Sequence, residues 1–234
     1  MKLAIMQPYF MPYIGYFQLI NAVDKFVIYN DVNYIKQGWI NRNNILLSEK
    51  AFPFTIPLEN ASSFKKIKDI QINIKIYSFW REKFLKSLQQ SYKSAPNYLN
   101  VYSIIENLLY QNYNYICELN VAAILEICKI CKIETEIYVS STIYQNSYLK
   151  AEERIIDICR QEGATTYINP IGGQLLYKKE SFFERKIQLQ FLNTLPIHYK
   201  QKSNEFVSNL SIIDLLMFID HREISNFLNQ YELI

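Results

Sequence analysis

Glycine is scarce in this chain, and its placement marks the segments that could bind a ligand. Only five of the 234 residues are glycine, and four of these lie in three loops, residues 12–16, 35–43 and 168–174. Glycine lets a backbone take left-handed angles or approach a ligand closely. Simple turn formation is the alternative for each loop taken alone. The predicted substrate-binding residues, one of which lies just ahead of the first loop, are Gln7, Tyr13, Gly15, Tyr16, Lys36, Trp39, Asn41, Arg42, Asn169, Gly172 and Gly173.

The loop at residues 35–43 has the most varied chemistry of the three. Arg42 offers a planar fork that matches a phosphate or a carboxylate. Asn41 supplies both hydrogen-bond donors and an acceptor, and Trp39 can stack on a base or a sugar. This mixture indicates recognition of a nucleotide-like or sugar-like ligand, and an ordinary solvated hairpin is the alternative.

Positioning and proton transfer are the chemistry expected of this site, because the usual nucleophile motifs are absent. The sequence contains no G-x-S-x-G segment, no Walker-type loop and no dinucleotide-binding glycine fingerprint. Asp31 ends a predicted strand, and His198 follows one, so both are candidate general bases. His221, the other of the two histidines, is predicted to lie at a helix end.

The four cysteines are predicted to be buried thiols. Cys128 and Cys131 form a single C-x-x-C in a strongly helical segment, where residues three apart share a face. A zinc site would require a second cysteine pair or a nearby histidine pair, and the sequence offers neither. No metal is therefore expected.

The elements that would position these residues alternate between strand and helix at both ends of the chain. Residues 2–6 predict a short buried strand, residues 12–23 a helix and residues 25–29 a second strand, which is the pattern of a βαβ unit. Residues 31–44 predict a loop with room for a hairpin. The other predicted strands are residues 51–57, 67–74, 136–140, 165–168 and 187–191. The other predicted helices are residues 77–92, 97–111, 115–132, 151–162, 175–185, 210–219 and 223–230.

This order favours an α/β fold with a mainly parallel, Rossmann-like sheet, flanking helices and a helical subdomain. The helical run at residues 77–132 contains no glycine and predicts an insertion. Residues 1–76 and 133–234 then form the α/β core of a single structural unit. Ligands of such sheets bind beyond the carboxyl ends of the strands, which is where the site is expected.

Composition and charge narrow the class of protein. The net charge of +3 is near balance, which argues against a strongly basic nucleic-acid face but leaves RNA open. No apolar run approaches the roughly 18–20 residues that cross a bilayer. The apolar stretch after residue 2 is broken by Gln7 and Pro8, unlike a signal peptide. A soluble, cytoplasmic protein is expected.

The block IMQPYFMPYIGYFQLINAVDKFVIYNDVNYIKQGWINRN, residues 5–43, closely resembles the N-terminal signature of the WbqC-like family. Members of this family are bacterial proteins often associated with gene clusters for O-antigen and other surface polysaccharides. Weaker similarity at residues 80–96, 163–177 and 198–216 extends the resemblance over nearly the whole chain.

The resemblance implies a role in making a modified sugar for a surface glycan. The implied reaction attaches an aminoacyl group, such as glycine, or another acyl group to the amine of a nucleotide-linked amino sugar. The implied co-substrate is ATP with an amino acid or an aminoacyl-tRNA, and no tightly bound cofactor is expected. Asp31 or His198 would take the proton of the amine, and Lys36 and Arg42 would hold the diphosphate. The acceptor sugar and a homo-oligomeric state are left open.

A second, fainter resemblance is to the nucleotidylyltransferase and pantothenate-synthetase folds. Those enzymes carry H-x-G-H at the first strand-to-helix turn, where two histidines stabilise the phosphates of ATP. The matching positions here are Tyr13-Ile14-Gly15-Tyr16, and tyrosine cannot carry positive charge at neutral pH. The alternatives to an acyl transferase are therefore a nucleotidyltransferase-like enzyme with an altered site and a non-catalytic protein that binds a nucleotide sugar or acts as a scaffold.

Overall fold

The computed structural model describes residues 1–220 and 222–234. The strands are β1 (Lys2–Met6), β2 (Lys25–Ile28), β3 (Arg42–Leu47), β4 (Lys50–Thr55), β5 (Leu58–Glu59), β6 (Gln71–Ile72), β7 (Glu136–Tyr138), β8 (Thr166–Pro170), β9 (Gln188–Thr194) and β10 (Tyr231–Leu233). The α-helices are α1 (Ile14–Asn21), α2 (Ile74–Tyr92), α3 (Tyr98–Tyr110), α4 (Ile116–Ile130), α5 (Ala151–Gln161), α6 (Lys179–Phe183), α7 (Ile212–Phe218) and α8 (Ile224–Leu228).

The main sheet has six strands in the order β10-β9-β8-β1-β2-β7. All neighbours are parallel except β9 and β10, which pair antiparallel. Numbered along the chain, the five parallel strands have the order 3-2-1-4-5 of a doubly wound sheet. The predicted α/β fold with a mainly parallel, Rossmann-like sheet is confirmed.

Both faces of this sheet are covered, because successive apolar residues of each strand point to opposite sides. In β1, Leu3 and Ile5 join a core with Ile155 of α5, whereas Ala4 joins the core that contains Phe17 of α1. The fold therefore has three layers, with α5 and α6 on one face and α1, α2, α3, α4, α7 and α8 on the other.

The first turn of α1 begins later than predicted. Tyr13 has extended backbone angles (φ −62°, ψ 156°) and caps a helix that starts at Ile14 rather than at Pro12. The predicted βαβ unit is present, and Gly163 ends α5 in the left-handed conformation (φ 67°) expected of a helix stop.

The region before the helical segment differs from the prediction. Residues 67–74, predicted as one strand, contain a 3₁₀-helix (Ile67–Asp69), β6 and the start of α2. Ile67 and Ile70 are both buried, and their spacing of three residues suits a 3₁₀ turn, whose side chains repeat every third residue.

The segment around residue 45 is a β-hairpin that the prediction missed in part. β3 pairs antiparallel with β4, and β3 begins inside the expected loop of residues 31–44. The turn consists of Ser48 and Glu49, which both have positive φ (52° and 61°), as a two-residue hairpin turn of this kind requires. The strand was hidden from sequence reasoning by its polar start at Asn43 and Asn44.

The C-terminal elements also need correction. The predicted helix at residues 175–185 is a 3₁₀-helix (Ile171–Leu176) followed by the short α6. The predicted helix at residues 223–230 is α8, and the missed strand β10 follows it along β9. His221, predicted at a helix end, lies outside the described residues.

The helical segment packs on the sheet. Phe84 of α2, Val101 of α3 and Ile124 of α4 belong to the same buried cluster as Phe17 and Phe26 of the α/β core. The division into a core and an insertion at residues 77–132 stays a prediction. Among the described residues, no helix is both long and apolar enough to cross a membrane.

Candidate functional site

The candidate site lies at the carboxyl edge of the sheet, between β1 and β8. The chain leaves β1 toward β2 and leaves β8 toward β9, in opposite directions, which opens a crevice at this point of a doubly wound sheet. A cavity of about 420 Å³ occupies the crevice, within the usual range for a ligand pocket. We call it the switch-point cavity. It is lined by Met6, Tyr9, Pro12, Tyr13, Gly15, Tyr16, Trp39, Asn43, Asn44, Pro170, Ile171, Leu192, Thr194, Ser208 and Asn209.

Two tyrosines offer hydrogen bonds to whatever fills this cavity. The hydroxyls of Tyr9 and Tyr13 have no hydrogen-bond partner among the described residues. Burial raises the pKa of Tyr9 to about 12 and also raises the pKa of Tyr13. Both hydroxyls are therefore protonated at neutral pH and can donate. Tyr16 differs, because its hydroxyl donates to the backbone carbonyl of Gln7 (2.9 Å) and fixes the loop between β1 and α1.

Gly15 brings the start of α1 against the end of β9. A Cβ atom at this position would lie 2.7 Å from Oγ1 of Thr194, closer than real Cβ contacts allow. The same hydroxyl donates to Oε1 of Gln18 (2.7 Å) and so has little freedom to move away. The first turn of α1 contains no acidic residue. The Tyr16 N–H donates to the Tyr13 carbonyl (3.0 Å), so the N–H groups of Ile14 and Gly15 are the ones that offer an anion site beside the cavity.

The hairpin β3–β4 supplies another wall. Trp39 lines the cavity just ahead of β3, and the Arg42 guanidinium lies 5.6 Å from the centre of its ring. Arg42 also donates to the carbonyl of Gln37, while its Nε is buried without a partner among the described residues. Asn43 donates to the carbonyl of Met11 (2.7 Å), which ties the hairpin to the aromatic loop.

A second cavity of about 280 Å³ adjoins the first. We call it the histidine cavity. It shares Tyr13, Thr194, Ser208 and Asn209 with the switch-point cavity. Its other lining residues are Ile14, Leu195, Pro196, Ile197, His198, Tyr199, Phe206, Val207, Leu210, Ser211, Ile212 and Leu215. The exposed imidazole of His198 lies 4.9 Å from the ring of Phe206, measured between ring centres.

A buried carboxylate holds the loop that carries His198. Asp214 is fully buried and accepts hydrogen bonds from Tyr92 (2.9 Å), Tyr199 (2.7 Å) and Gln201 (2.8 Å). Burial raises the pKa of this carboxyl, against the effect of the three hydrogen bonds. Because Gln201 also bonds both backbone groups of Val207 (3.0 and 2.8 Å), the network fixes one wall of the histidine cavity.

Asp31 lies apart from these two cavities. Its carboxylate is buried, receives the Arg154 guanidinium at 2.5 Å and accepts a hydrogen bond from the Ser141 hydroxyl. The Nε of Arg154 donates a further hydrogen bond, to Oδ1 of Asn146 (2.9 Å). The structure does not bring Asp31 and His198, the two candidate bases, together: only His198 borders a cavity of the site.

The remaining predicted residues divide into buried and exposed ones. Asn41 is buried. Its Oδ1 accepts a hydrogen bond from the Tyr34 hydroxyl (2.9 Å), and its Nδ2 donates to the carbonyl of Ile56 (2.8 Å). Lys36, by contrast, is exposed. Gln7 directly follows β1, and its Oε1 is buried without a partner among the described residues. Buried acceptors of this kind are usually satisfied by water or a ligand.

The glycine pair after β8 has two different environments. A Cβ on Gly173 would lie 2.0 Å from Oδ1 of Asn169, so a side chain there would force Asn169 to move, whereas a Cβ on Gly172 meets nothing within 4 Å among the described residues. Asn169 itself donates to the Tyr167 hydroxyl (2.6 Å). These residues adjoin Pro170 and Ile171 of the switch-point cavity but do not line it.

Sequence reasoning found part of the cavity lining. Of the predicted binding residues, Tyr13, Gly15, Tyr16 and Trp39 line the switch-point cavity. Tyr9 was missed although it lies in the same aromatic loop. Nothing in the sequence indicated that Thr194 and Asn209 would line the cavity, because their positions depend on how β9 and the segment before α7 pack beside the sheet.

The cysteines do not line either of the two cavities. All four are buried thiols, and burial raises the pKa of Cys128, Cys131 and Cys159 to about 12. Such thiols are poor nucleophiles at neutral pH. The described residues contain no group of three or more His, Cys, Asp or Glu side chains placed to hold a metal ion.

The family model of the WbqC-like proteins matches residues 7–226, which include every lining residue of both cavities except Met6. The chain belongs to the WbqC-like protein family. An uncharacterised protein of Mycobacterium tuberculosis, Rv1507c, is 29% identical to this WbqC-like chain over 218 residues, which cover 92% of each of the two chains. No solved structure matches this WbqC-like chain.

Proposed function

We propose that this WbqC-like protein is a cytoplasmic transferase of surface-glycan (O-antigen) precursor synthesis. It attaches an aminoacyl group, such as glycine, or another acyl group to the amine of a nucleotide-linked amino sugar. The observation that carries the proposal is the joined pair of cavities at the switch point, where protonated tyrosine hydroxyls line one cavity and His198 lines the other.

The switch-point cavity would bind the nucleotide sugar. Trp39 stacks on the base or the sugar, and Tyr9 and Tyr13 donate hydrogen bonds to sugar hydroxyls or phosphate oxygens. The diphosphate lies toward the start of α1 and toward Arg42, whose guanidinium is already placed over Trp39. Phosphate binding at a helix start needs no charged residue in the lining itself.

The amine of the sugar would then lie at the boundary of the two cavities, near Tyr13. An ammonium group must lose a proton before it can attack an acyl carbon, and His198 is the base that the adjoining cavity offers. Asp31 is assigned a positioning role, since both of its oxygens are engaged by Arg154 and Ser141. The acyl donor would enter through the histidine cavity or along the hairpin.

A mass-spectrometric assay tests this proposal. TDP- and UDP-linked amino sugars are offered with ATP and amino acids and, separately, with charged tRNA. We expect a mass gain of one aminoacyl unit on one acceptor. His198→Gln should lower the rate by about a hundredfold or more, the usual contribution of a general base. Asp31→Asn should lower the stability of the protein, while the fraction that stays folded should keep most of its transfer rate.

A matched pair of variants keeps the test specific. Tyr13→Phe removes only a hydroxyl from the cavity and should weaken nucleotide-sugar binding, whereas Tyr148→Phe changes a tyrosine that lies exposed and outside both cavities. If no acceptor gains mass over a broad panel, or if the two tyrosine variants behave alike, the transferase assignment fails.

The uncharged lining of the switch-point cavity favours one alternative, a protein that binds a nucleotide sugar without turnover. Binding by calorimetry with no product after long incubation would support it. An altered nucleotidyltransferase site, suggested by the Tyr13-Ile14-Gly15-Tyr16 turn, would instead show exchange of labelled pyrophosphate into ATP in the presence of a suitable acid.

A further inference from the structure

Two neighbouring loops form a rigid surface at the same edge of the sheet as the cavities. Residues 30–36 lie beside residues 62–68, and the Tyr34 N–H donates to the Lys65 carbonyl (2.9 Å). The N–H of Lys68 donates to the carbonyl of Asn30 (2.9 Å), directly after β2. The Lys66 ammonium donates to Oδ1 of Asn33 (2.9 Å). We call this the lysine surface.

The charge of the lysine surface is mainly positive. Lys36, Lys65 and Lys68 are exposed, and the exposed Asp69 follows Lys68 directly. Asp31, at the other end of the surface, is buried and paired with Arg154. The cationic surface at the opposite edge of the sheet is different. There Glu180 and Glu184 lie between Lys179 and Lys186 along the chain. The chain's near-neutral net charge therefore hides a local excess of positive charge.

Apolar side chains stand among these lysines. Phe64 is 93% exposed and Ile35 is 52% exposed. Exposed aromatic rings between cations are the combination with which proteins bind single-stranded nucleic acids, because the rings stack on bases while the cations contact phosphates. An anionic membrane also takes up exposed apolar side chains among cations, so the choice of RNA rests on the direction in which the lysine surface continues.

The lysine surface continues into the switch-point cavity. Lys36 is followed within three residues by Trp39, which lines that cavity, and the Arg42 guanidinium lies over the Trp39 ring. A strand that stacks on Phe64 and follows the lysines toward Trp39 would place its end at the cavity mouth.

We propose that the lysine surface binds single-stranded RNA, and that this RNA is the unpaired 3′ end of a charged tRNA that brings the acyl donor to the cavity. The donor role rests on the proposed function, whereas RNA binding does not. In the transfer, the sugar amine attacks the ester carbonyl carbon and a C–N bond forms. The ester C–O bond breaks, and the terminal ribose oxygen leaves with the proton that the amine gives up. No ATP is consumed at this site.

The test measures fluorescence anisotropy of a labelled single-stranded RNA of about eight nucleotides and of uncharged tRNA, at several salt concentrations. Lys65→Gln/Lys68→Gln removes two cations whose side chains take no part in the backbone pairing of the loops. For single strands, each phosphate contact contributes about −0.7 to the slope of log affinity against log salt. Removing two contacts should therefore make the slope less steep by about 1.4. Phe64→Ala should weaken binding about fivefold or more at fixed salt.

Controls come from the opposite edge of the sheet. Lys179→Gln/Lys186→Gln makes the same change of charge, and Phe183→Ala removes another ring that is 81% exposed. Both control proteins should bind RNA like the wild type. The inference is overturned if the wild type does not bind RNA at low salt, if the control variants lose as much affinity, or if anionic vesicles bind and RNA does not.

The donor role and the proposed function fail in different ways. Nucleotide-sugar binding, measured by calorimetry, should be unchanged in Lys65→Gln/Lys68→Gln, while transfer from charged tRNA should fall in step with RNA affinity. Transfer that proceeds with ATP and a free amino acid, and is unaffected by these substitutions, would overturn the donor role and leave the transferase standing.

Discussion

At the scale of single residues, Gly15 shows how a side-chain absence shapes the site. Gly15→Ala gains helix propensity, but its Cβ would overlap Oγ1 of Thr194 at 2.7 Å. Thr194 can retreat only by giving up its bond to Gln18. We expect a net loss of about 1–2 kcal/mol in the free energy of unfolding.

A double-mutant cycle isolates that contact. Gly15→Ala should cost at least about 1 kcal/mol less when it is made in a Thr194→Ala protein than in the wild type. Gly172→Ala is the matched control, because in the described part of the chain a Cβ there meets nothing within 4 Å. Equal costs in both backgrounds, measured by urea unfolding, would show that the overlap is relieved elsewhere.

The ion pair of Asp31 and Arg154 gives a second prediction at this scale. Arg154→Met leaves the buried carboxylate of Asp31 without its cation, and such a loss costs about 3–5 kcal/mol of stability. The exposed pair of Arg222 and Asp220 (2.9 Å) is the control, since solvent screens an exposed ion pair and Arg222→Met should change stability far less than Arg154→Met does. Urea unfolding of the two variants tests this prediction: the midpoint of Arg154→Met should lie well below that of Arg222→Met, and similar midpoints would contradict it.

Sequence reasoning identified residue types better than residue environments. The aromatic loop and Trp39 stood out by composition, and they do line the switch-point cavity. The place of Asp31 could not be read from the sequence, because its partner Arg154 lies 123 positions away on α5. Contacts over such separations follow from the order of the strands, which local patterns do not specify.

At the scale of elements, the loop between β9 and α7 depends on one side chain. Gln201 bonds Val207 on both backbone groups and also reaches Asp214. Gln201→Ala should therefore free the amide of Val207 to exchange with solvent at least about tenfold faster, if the lost bonds are worth 1.4 kcal/mol or more. Hydrogen exchange followed by mass spectrometry measures this change.

Asn204→Ala serves as the control for the same loop. Among the described residues, the Asn204 amide reaches only the exposed carboxylate of Glu49 (3.2 and 3.3 Å), so exchange at Val207 should stay at the wild-type rate. If both substitutions accelerate exchange equally, the loop is held by its length and packing rather than by the Gln201 network.

The elements that were predicted well are those with a strong periodic pattern. Helices α2, α3 and α4 were found to within a few residues, because their apolar residues recur at helical spacing. β10 was missed, since three residues next to a helix carry too little pattern and gain their strand form from pairing with β9.

At the scale of the whole molecule, the buried thiols report whether the layers unfold together. Cys128 lies in the core shared by the sheet and the helical segment, and Cys159 lies in the core on the other face. Burial raises the pKa of both thiols from 9.0 to about 12, so neither reacts as a thiolate at pH 8 in the folded protein.

We expect a thiol reagent to label Cys128 and Cys159 at the same urea concentration. The reason for this expectation is the core that the sheet shares with residues 77–132, which should make them unfold as one cooperative unit. Earlier labelling of Cys128 would show instead that the helical segment unfolds as a domain of its own. Peptide mapping after a short labelling pulse distinguishes the two cysteines.

The same thiols predict how stability depends on alkaline pH. Because their pKa is raised in the folded state, the unfolded chain releases protons first as the pH rises above 9.0. The stabilisation that they provide is complete below that pH and is lost as the pH approaches 12. Urea unfolding should therefore show a steadily lower midpoint above pH 9, and a flat profile would contradict it.

The central position of β1 has a consequence for synthesis on the ribosome. β1 pairs with β2, which is made soon after it, but its other neighbour β8 is separated from it by more than 160 positions, as the bond between Met1 and Thr165 illustrates. The hydrogen-bond partners of Gln18 in α1 are translated later still, because its amide donates to the carbonyls of Phe227 and Gln230, which lie 209 and 212 positions away. The aromatic loop of the switch-point cavity is thus translated well before the segments that complete its surroundings. During elongation one edge of β1 stays unpaired, and a nascent chain must keep that edge from pairing with another molecule until β8 emerges.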